Sequence, residues 1–234
     1  MTKNYAFIFA RGGSKELKNK NIKLFNGKPL IYYSIKIAKK NRHIKKVFVS
    51  SDSLAILRIS KKYGAETIKR PKNISTDRSS EINSWKHAVN YLTKKKDVFD
   101  NFVNIPCTSP LRISKDISQA ISLIKKKKDI VVGVCKSKKY PEFNMVKKKK
   151  NTVEPLSKNL FHNRQSLPKT FDLTTIIYAA SVDFIRNINS FFWEGNVKYI
   201  EIPPIRSIDI DSYDDFKLAE IIYKNQKILK LNIT

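Results

Sequence analysis

The 234-residue chain carries 47 Lys and Arg against 20 Asp and Glu, a formal charge of +27, with 41% hydrophobic and 11% aromatic residues. That length and apolar share suit one large domain, 1–234, with its own core, and exclude a disordered chain. No apolar run approaches the ~20 residues of a membrane span, no charged-then-apolar leader opens the sequence, and Cys107 and Cys135 share no metal-ligand spacing, so buried thiols, a cytoplasmic location and no membrane span are expected.

In chain order, the apolar run Tyr5 to Phe9 reads as a buried strand opening into a basic, glycine-containing loop. Ile31 to Lys40 has apolar residues at helical spacing. Lys46 to Ser50 is a second strand ending at Ser51-Asp52, and Ser53 to Tyr63 a helix stopped by Gly64. Glu66 to Ile68 is a short strand, Ser80 to Thr93 a helix, Asn101 to Ile105 a strand, Ile117 to Lys125 a helix and Asp129 to Cys135 a strand. This alternation predicts an α/β protein: a Rossmann-like, mostly parallel sheet with helices on both faces. From Lys136 to about Ser190 the rhythm breaks. Residues 136–190 read as an inserted section with hairpin character, its tip at Lys147 to Lys150, suited to substrate or subunit contacts. Thr174 to Ala180 is a strand within it. Val197 to Ile202 returns as a strand and Tyr213 to Tyr223 as a helix.

Ligands in such sheets bind beyond the carboxyl ends of strands. Three loops there carry chemistry. The first runs Ala10-Arg11-Gly12-Gly13-Ser14-Lys15-Glu16-Leu17-Lys18-Asn19-Lys20-Asn21. Glycines let backbone N–H groups approach a phosphate and the cations neutralise it. It is neither a P-loop nor a dinucleotide fingerprint, because Gly-Lys-Ser/Thr and the third glycine are both missing. The second, Pro106-Cys107-Thr108-Ser109-Pro110-Leu111-Arg112, is stiffened by two prolines with hydroxyls and an Arg expected to point outward, and equally fits a rigid strand-to-helix turn. The third, Ser207-Ile208-Asp209-Ile210-Asp211, puts two aspartates on one side of an extended segment, a pattern that holds Mg²⁺ beside phosphates. Asp211 as the N-cap of the following helix fits it as well.

The positive charge invites a nucleic-acid reading. The excess is mostly Lys in surface-like runs, Lys94 to Lys96, Lys125 to Lys128 and Lys147 to Lys150, while Arg, the better base reader, is sparse. No nucleic-acid partner is expected; the charge favours anionic ligands.

Together the loops resemble the cytidylyltransferases that activate nine- and eight-carbon acidic sugars, the CMP-sialic acid synthetases and, nearest in look, their CMP-legionaminic acid relatives. The motifs run in order: Ala10 to Asn21, Gly27-Lys28-Pro29-Leu30, Ser50-Ser51-Asp52, Arg70-Pro71, Thr76-Asp77, Ser79-Ser80, Thr108 to Arg112, Arg164-Gln165, Leu167-Pro168, Tyr178 and Ser207 to Ser212.

The resemblance implies a nucleotidyltransferase that moves CMP from CTP to the anomeric hydroxyl of a 3-deoxy-ulosonic acid, releasing diphosphate, for surface glycan synthesis. Carried over by position, Arg11, Gly12, Gly13, Ser14, Lys15, Lys20 and Asn21, with Ser79, Ser80, Pro106, Thr108 and Arg112, would hold CTP. Pro106, Arg164, Gln165, Tyr178, Phe191 and Phe192 would line the sugar pocket, Arg164 on the carboxylate. Asp209 and Asp211 would bind Mg²⁺, the expected cofactor, and with Arg11 and Lys20 form the catalytic set. The family is typically a homodimer, with a section such as 136–190 reaching the partner. Departures from its pattern are Glu16 in place of Gly, Pro106-Cys107 in place of Gln-Pro, and Asp172 where some sialic acid enzymes carry Arg. The last two put a legionaminic-type acid on at least an equal footing with N-acetylneuraminate as the substrate. Glu16 is expected to point away from the triphosphate. A CMP-Kdo synthetase and a non-catalytic RNA- or polyanion-binding protein are the alternatives.

Overall fold

The computed structural model describes every residue except 1, 15, 78, 160, 162, 232 and 234, and all side chains of the others except that of Arg164. In chain order the elements are β1 (Asn4–Phe9), β2 (Leu24–Phe25), β3 (Lys28–Pro29), α1 (Leu30–Lys40), β4 (Ile44–Ser51), α2 (Leu54–Lys62), β5 (Glu66–Lys69), α3 (Glu81–Lys94), β6 (Asn101–Asn104), α4 (Ser114–Leu123), β7 (Asp129–Lys136), β8 (Val146–Lys149), β9 (Thr152–Pro155), β10 (Phe171–Ser181), α5 (Val182–Asn187), β11 (Asn196–Glu201) and α6 (Tyr213–Lys224). Seven strands form one sheet in the order β11-β7-β10-β6-β1-β4-β5. Every neighbouring pair is parallel except those of β10, which is antiparallel to both β6 and β7.

β1 is buried on both faces, as parallel strands are. Its alternate residues serve two cores. Tyr5 and Phe7 join Phe48, Trp85 and Phe102 in an aromatic layer under α3 and α5. Ala6 and Ile8 join Val49, Ile56, Ile35 and Ile117 in an aliphatic layer under α1, α2 and α4. Helix placement follows these faces. Ser53 and Ser80 cap α2 and α3 by accepting from Ile56 N–H and Ile82 N–H. Each cap contributes about 1 kcal/mol, less than the roughly 2–3 kcal/mol from burying a single large side chain such as Trp85, so packing decides position and the caps trim the ends. Gly64, at φ +79°, ends α2 in the left-handed region, as expected.

From β1 the chain moves outward to β4 and β5, then returns to the other side of β1 with β6. The order therefore reverses beside β1, which opens a crevice at the carboxyl ends of β1 and β6.

Within 136–190, β10 lies in the middle of the main sheet, and only β8 and β9 stand apart as a two-stranded ribbon. Of the run Lys147 to Lys150, only Lys150 lies in the ribbon's tip. Lys147 to Lys149 are strand residues, the turn falls at 150–151, and Lys147 and Lys149 pair with Glu154 across the ribbon at 3.1 and 2.9 Å. Alternation explains the shift: residues two apart on a strand reach one partner opposite. At the start of β7, beside the edge strand β11, Asp129 is buried, which raises its pKa, but bonds from Lys198 and the Lys125 and Lys126 amides hold it down at about 2.

Candidate active site

A cavity of about 680 Å³ opens where the order reverses. The β1 loop contributes Arg11, Ser14, Glu16, Lys20 and Asn21 to its lining. The β5–α3 segment supplies Arg70, Ser79, Glu81 and Ser84; Thr108 and Asp211 come from the other two loops.

The three loops are tied together by specific bonds. Lys20 Nζ donates to Asp211 Oδ1 at 3.0 Å and to the Ile210 carbonyl at 2.6 Å, joining residues 190 apart in sequence. Asn21 Nδ2 donates to the Arg11 carbonyl at 3.0 Å and so sets the path of the first loop. Ile210, fully buried, donates its N–H to the Thr108 carbonyl at 2.9 Å, which fastens the third loop to the second. Arg11 reaches over to Asp77 in an ion pair. The cations Arg11 and Lys20 thus sit on one side of the cleft, where an anion entering would meet them.

Asp209 is half-buried, and its Oδ1 is buried with no hydrogen-bond partner among the described residues. Such orphaned acceptors are rare in folded proteins. Asp211, one residue on from Ile210, is exposed. Asp211 does not cap α6: Ser212 does, accepting from Asp215 N–H in a capping box, which leaves the Asp211 carboxylate for the cleft. No cluster of three or more His, Cys, Asp or Glu capable of holding a metal exists among the described residues. A pair of carboxylates suffices for Mg²⁺ when substrate phosphates and water complete its shell. The free acceptor on Asp209 fits that chemistry.

Several expected contacts fall elsewhere. Arg112 does not point outward; it is 2% exposed. Its guanidinium donates to the carbonyls of Ile176 and Pro106 and to Ser34 Oγ, and desolvation lowers its pKa to about 10. It braces the Pro106 to Arg112 loop from within, because three inward acceptors satisfy a charge that could not otherwise be buried. Ser109 is likewise buried, bonded to Thr175 at 2.6 Å, so Thr108 is the hydroxyl of that loop in the cavity lining. The Gly12 N–H donates to Asp52 Oδ1 at 3.0 Å and is not turned to the cleft, while Gly13 is exposed. Ser80 caps α3, and its neighbour Ser79 faces the cavity. Glu16, expected to point away from the triphosphate, is exposed and belongs to the cavity lining. Lys15 and the side chain of Arg164 lie outside the described residues. Gln165 is exposed and outside the cavity lining.

Tyr178 lies directly opposite Asn104 in the β10–β6 register, packed on Trp85 and on Phe192. Phe192 is buried and stacks with exposed Phe191 at 4.5 Å. Burial pushes the Tyr178 hydroxyl up to about 12, with the charges of Glu81 and Asp209 adding to it, so these three groups share one neighbourhood. Glu81, open to cleft water but walled by protein, has its pKa raised by desolvation; a bond from Asn104 and the charge of Arg70 oppose that rise.

Four residues that shape the site were not singled out by sequence: Glu81, Asn104, Asp116 and Arg206. The side chains of Arg206 and Asp116, 7% and 4% exposed, meet at 2.6 and 3.0 Å across 90 residues. Arg206 begins the segment that carries Asp209, and Asp116 starts α4. Glu81 directly follows Ser79-Ser80, where an acid in a first helical turn ordinarily serves the helix dipole.

The cytidylyltransferase family model matches residues 5–228. The chain is 32% identical over 224 residues to post-translational flagellin modification protein B of Campylobacter coli, covering 94% of this chain and 95% of that one. It is 32% identical over 218 residues to the CMP-N,N'-diacetyllegionaminic acid synthase of Campylobacter jejuni, covering 92% of each. It is 31% identical over 235 residues to the N-acylneuraminate cytidylyltransferase of Escherichia coli, covering 99% of this chain and 55% of that protein. The solved structure of CMP:2-keto-3-deoxy-manno-octonic acid synthetase complexed with CTP superposes with a TM-score of 0.72 at 15% identity, covering 96% of this chain and 100% of that one, a likeness of fold. With its sheet reversal, its three joined loops and a family match over nearly its whole length, this chain belongs to the cytidylyltransferase family and is a nucleotidyltransferase.

Proposed function

We propose that the chain transfers CMP from CTP to the anomeric hydroxyl of an acidic nine-carbon 3-deoxy-ulosonic sugar, of the sialic or legionaminic type, and releases diphosphate in the cytoplasm. The observation that carries this reading is the bond from Lys20 to Asp211, which joins the basic loop after β1 to the segment of the two aspartates, with Lys20 and Asp211 lining the same cavity. Curated relatives whose names specify CMP-diacetyllegionaminic acid synthesis and pseudaminic acid cytidylyl transfer support the sugar class.

The sugar hydroxyl oxygen would attack the α-phosphorus in line. A new P–O bond forms, the bond from the α-phosphorus to the bridging oxygen breaks, the hydroxyl proton passes to water, and diphosphate leaves. Such a step depends on positioning and charge neutralisation more than on covalent help. Arg11 and Lys20 supply positive charge to the triphosphate, with Ser14 and Thr108 as hydroxyl contacts. Asn21 keeps the Arg11 backbone in place. Asp209 and Asp211 are the residues that would hold Mg²⁺, which supplies Lewis-acid charge at the phosphates when bound. On this reading Arg164 meets the sugar carboxylate and Tyr178, with Phe191 and Phe192, bounds the sugar pocket.

Diphosphate release from CTP and Mg²⁺ tests the reading, measured with N-acetylneuraminate, legionaminic, pseudaminic and 3-deoxy-manno-octulosonic acids. Turnover is expected with a nine-carbon acid and at least tenfold less with the eight-carbon one. No release with any of the four would overturn it.

We further propose a homodimer built on the 136–190 section. Phe143, Val146, Val153 and Leu156 in and beside the ribbon, and Phe171 and Leu173 at the start of β10, are all exposed there, as apolar residues at subunit contacts are before assembly. Light scattering should give twice the 27.1 kDa chain mass. A V146E/V153E double variant should move it toward the monomer; a wild-type monomer at micromolar concentration would refute the assembly.

A further inference from the structure

One wall of the cleft does not suit a triphosphate. Glu81, the first residue of α3, lines the cavity, and its Oε1 accepts a hydrogen bond from Asn104 Nδ2 at 2.9 Å. Asn104 ends β6, is 0% exposed, and its own Oδ1 is buried with no partner among the described residues. The amide orientation follows from the bond itself, since only the NH₂ end can face a carboxylate. Arg70, the nearby cation, has two of its nitrogens on Ser75 and Ser84, at 2.9 and 3.0 Å. The wall therefore presents the Glu81 carboxyl group as an acceptor, oriented from behind by a buried amide.

Phosphate oxygens are acceptors too, and an acidic wall repels them. The cations Arg11 and Lys20 and the Glu81–Asn104 pair would thus sort the two substrates of one reaction, the triphosphate going to the former. Facing the latter, a ligand must present hydrogen-bond donors. A polyhydroxylated, acylamino-bearing sugar acid offers O–H and N–H groups of that kind. Tyr178, opposite Asn104 in the sheet, adds an aromatic face beside the same wall.

We propose that Glu81 is a specificity-determining residue for the acceptor sugar: its carboxyl group, aimed by Asn104, accepts hydrogen bonds from hydroxyl or acylamino N–H groups of the sugar acid. This rests on the cytidylyl-transfer reading above and deepens it. Glu81 thereby does for the sugar what Arg11 and Lys20 do for the nucleotide, selecting it by complementary hydrogen-bond polarity.

Steady-state kinetics of diphosphate release test it, with each substrate varied in turn for wild type, Glu81→Ala and Glu81→Gln. For Glu81→Ala the sugar KM should rise about 10- to 100-fold, the range for losing a hydrogen bond to a charged group, with the CTP KM within about twofold. Glu81→Gln, similar in size and still carrying an acceptor oxygen, should recover part of the loss. It also serves if the alanine variant fails to fold, which melting temperature will show. An unchanged sugar KM overturns the proposal, and so does an equal rise in the CTP KM, which would move Glu81 to the nucleoside. If wild type itself releases no diphosphate with any sugar, the proposed function fails first; active wild type with an indifferent Glu81 sinks the residue's role alone.

Discussion

Replacing Asp209 by Asn should lower kcat/KM for diphosphate release by two to three orders of magnitude and leave the melting temperature unchanged or slightly higher. The activity loss is the size found when one preorganised electrostatic group is removed from a site of charge transfer. The stability result follows from the orphaned Oδ1. A buried carboxylate oxygen without a partner costs free energy in the folded state, so a neutral isostere relieves part of that cost. On the proposed function, metal binding is the reason to retain it. The backbone here is pinned independently: Ile210 is fully buried and its N–H is bonded to Thr108. The substituted amide would therefore be held where the Asp209 carboxylate was. Asp211→Ala should reduce turnover as severely while circular dichroism stays native, but it also frees Lys20, which would keep its bond to the Ile210 carbonyl. Near-normal turnover of either variant would remove the carboxylate pair from catalysis. A fall of several degrees in melting temperature for Asp209→Asn would make it a structural residue.

Arg206→Ala should destabilise the fold by about 3–5 kcal/mol, a drop in melting temperature on the order of 10 °C for a chain this long. Its partner Asp116 is 2% exposed and would keep a buried charge with one described bond, from the Ile113 N–H at 2.9 Å. Losing one half of such a pair is far worse than losing both. Asp116→Asn with Arg206→Met should accordingly recover more than half of the loss. Because Arg206 opens the segment that carries Asp209 and Asp211, the single variant should also lose activity at temperatures where it is still folded. Thermal melts with diphosphate release below the transition measure both effects. A change below about 1 kcal/mol would mean that the pair is solvent-screened.

Much of the architecture was legible because it rests on local chemistry. Tyr5 to Phe9 had to be a doubly buried strand, since no polar residue interrupts it. Ser53 and Gly64 bracket α2, and Ser80 starts α3, by capping rules that act within one turn. The order of strands and helices then implied a parallel sheet and a crevice at its carboxyl edge. The mixed pairing of β10 was not legible, because antiparallel partners tens of residues apart leave no local mark. The ribbon was legible but its turn, at 150–151, was drawn too wide, since four consecutive lysines look alike until alternation assigns them to faces.

The site divides the same way. Arg11, Ser14, Lys20, Asn21, Thr108 and Asp211 could be picked out by residue type and loop position, and they line one cavity. Arg112 shows the limit of that reasoning. An Arg in a rigid loop looks like a phosphate clamp, yet the Ser34, Pro106 and Ile176 oxygens draw it inward. Glu16 is a second case: charge repulsion suggested it would avoid the cleft, and it lines it. By itself, then, the sequence determined the family, the sheet and the chemical type of each loop, because these depend on patterning over a few residues. Which side chains turn toward the cleft was decided by tertiary structure alone. Where a charged side chain settles depends on partners 64 to 191 residues away, as with Arg112 and Ile176, Arg206 and Asp116, or Lys20 and Asp211, and no local pattern encodes those distances.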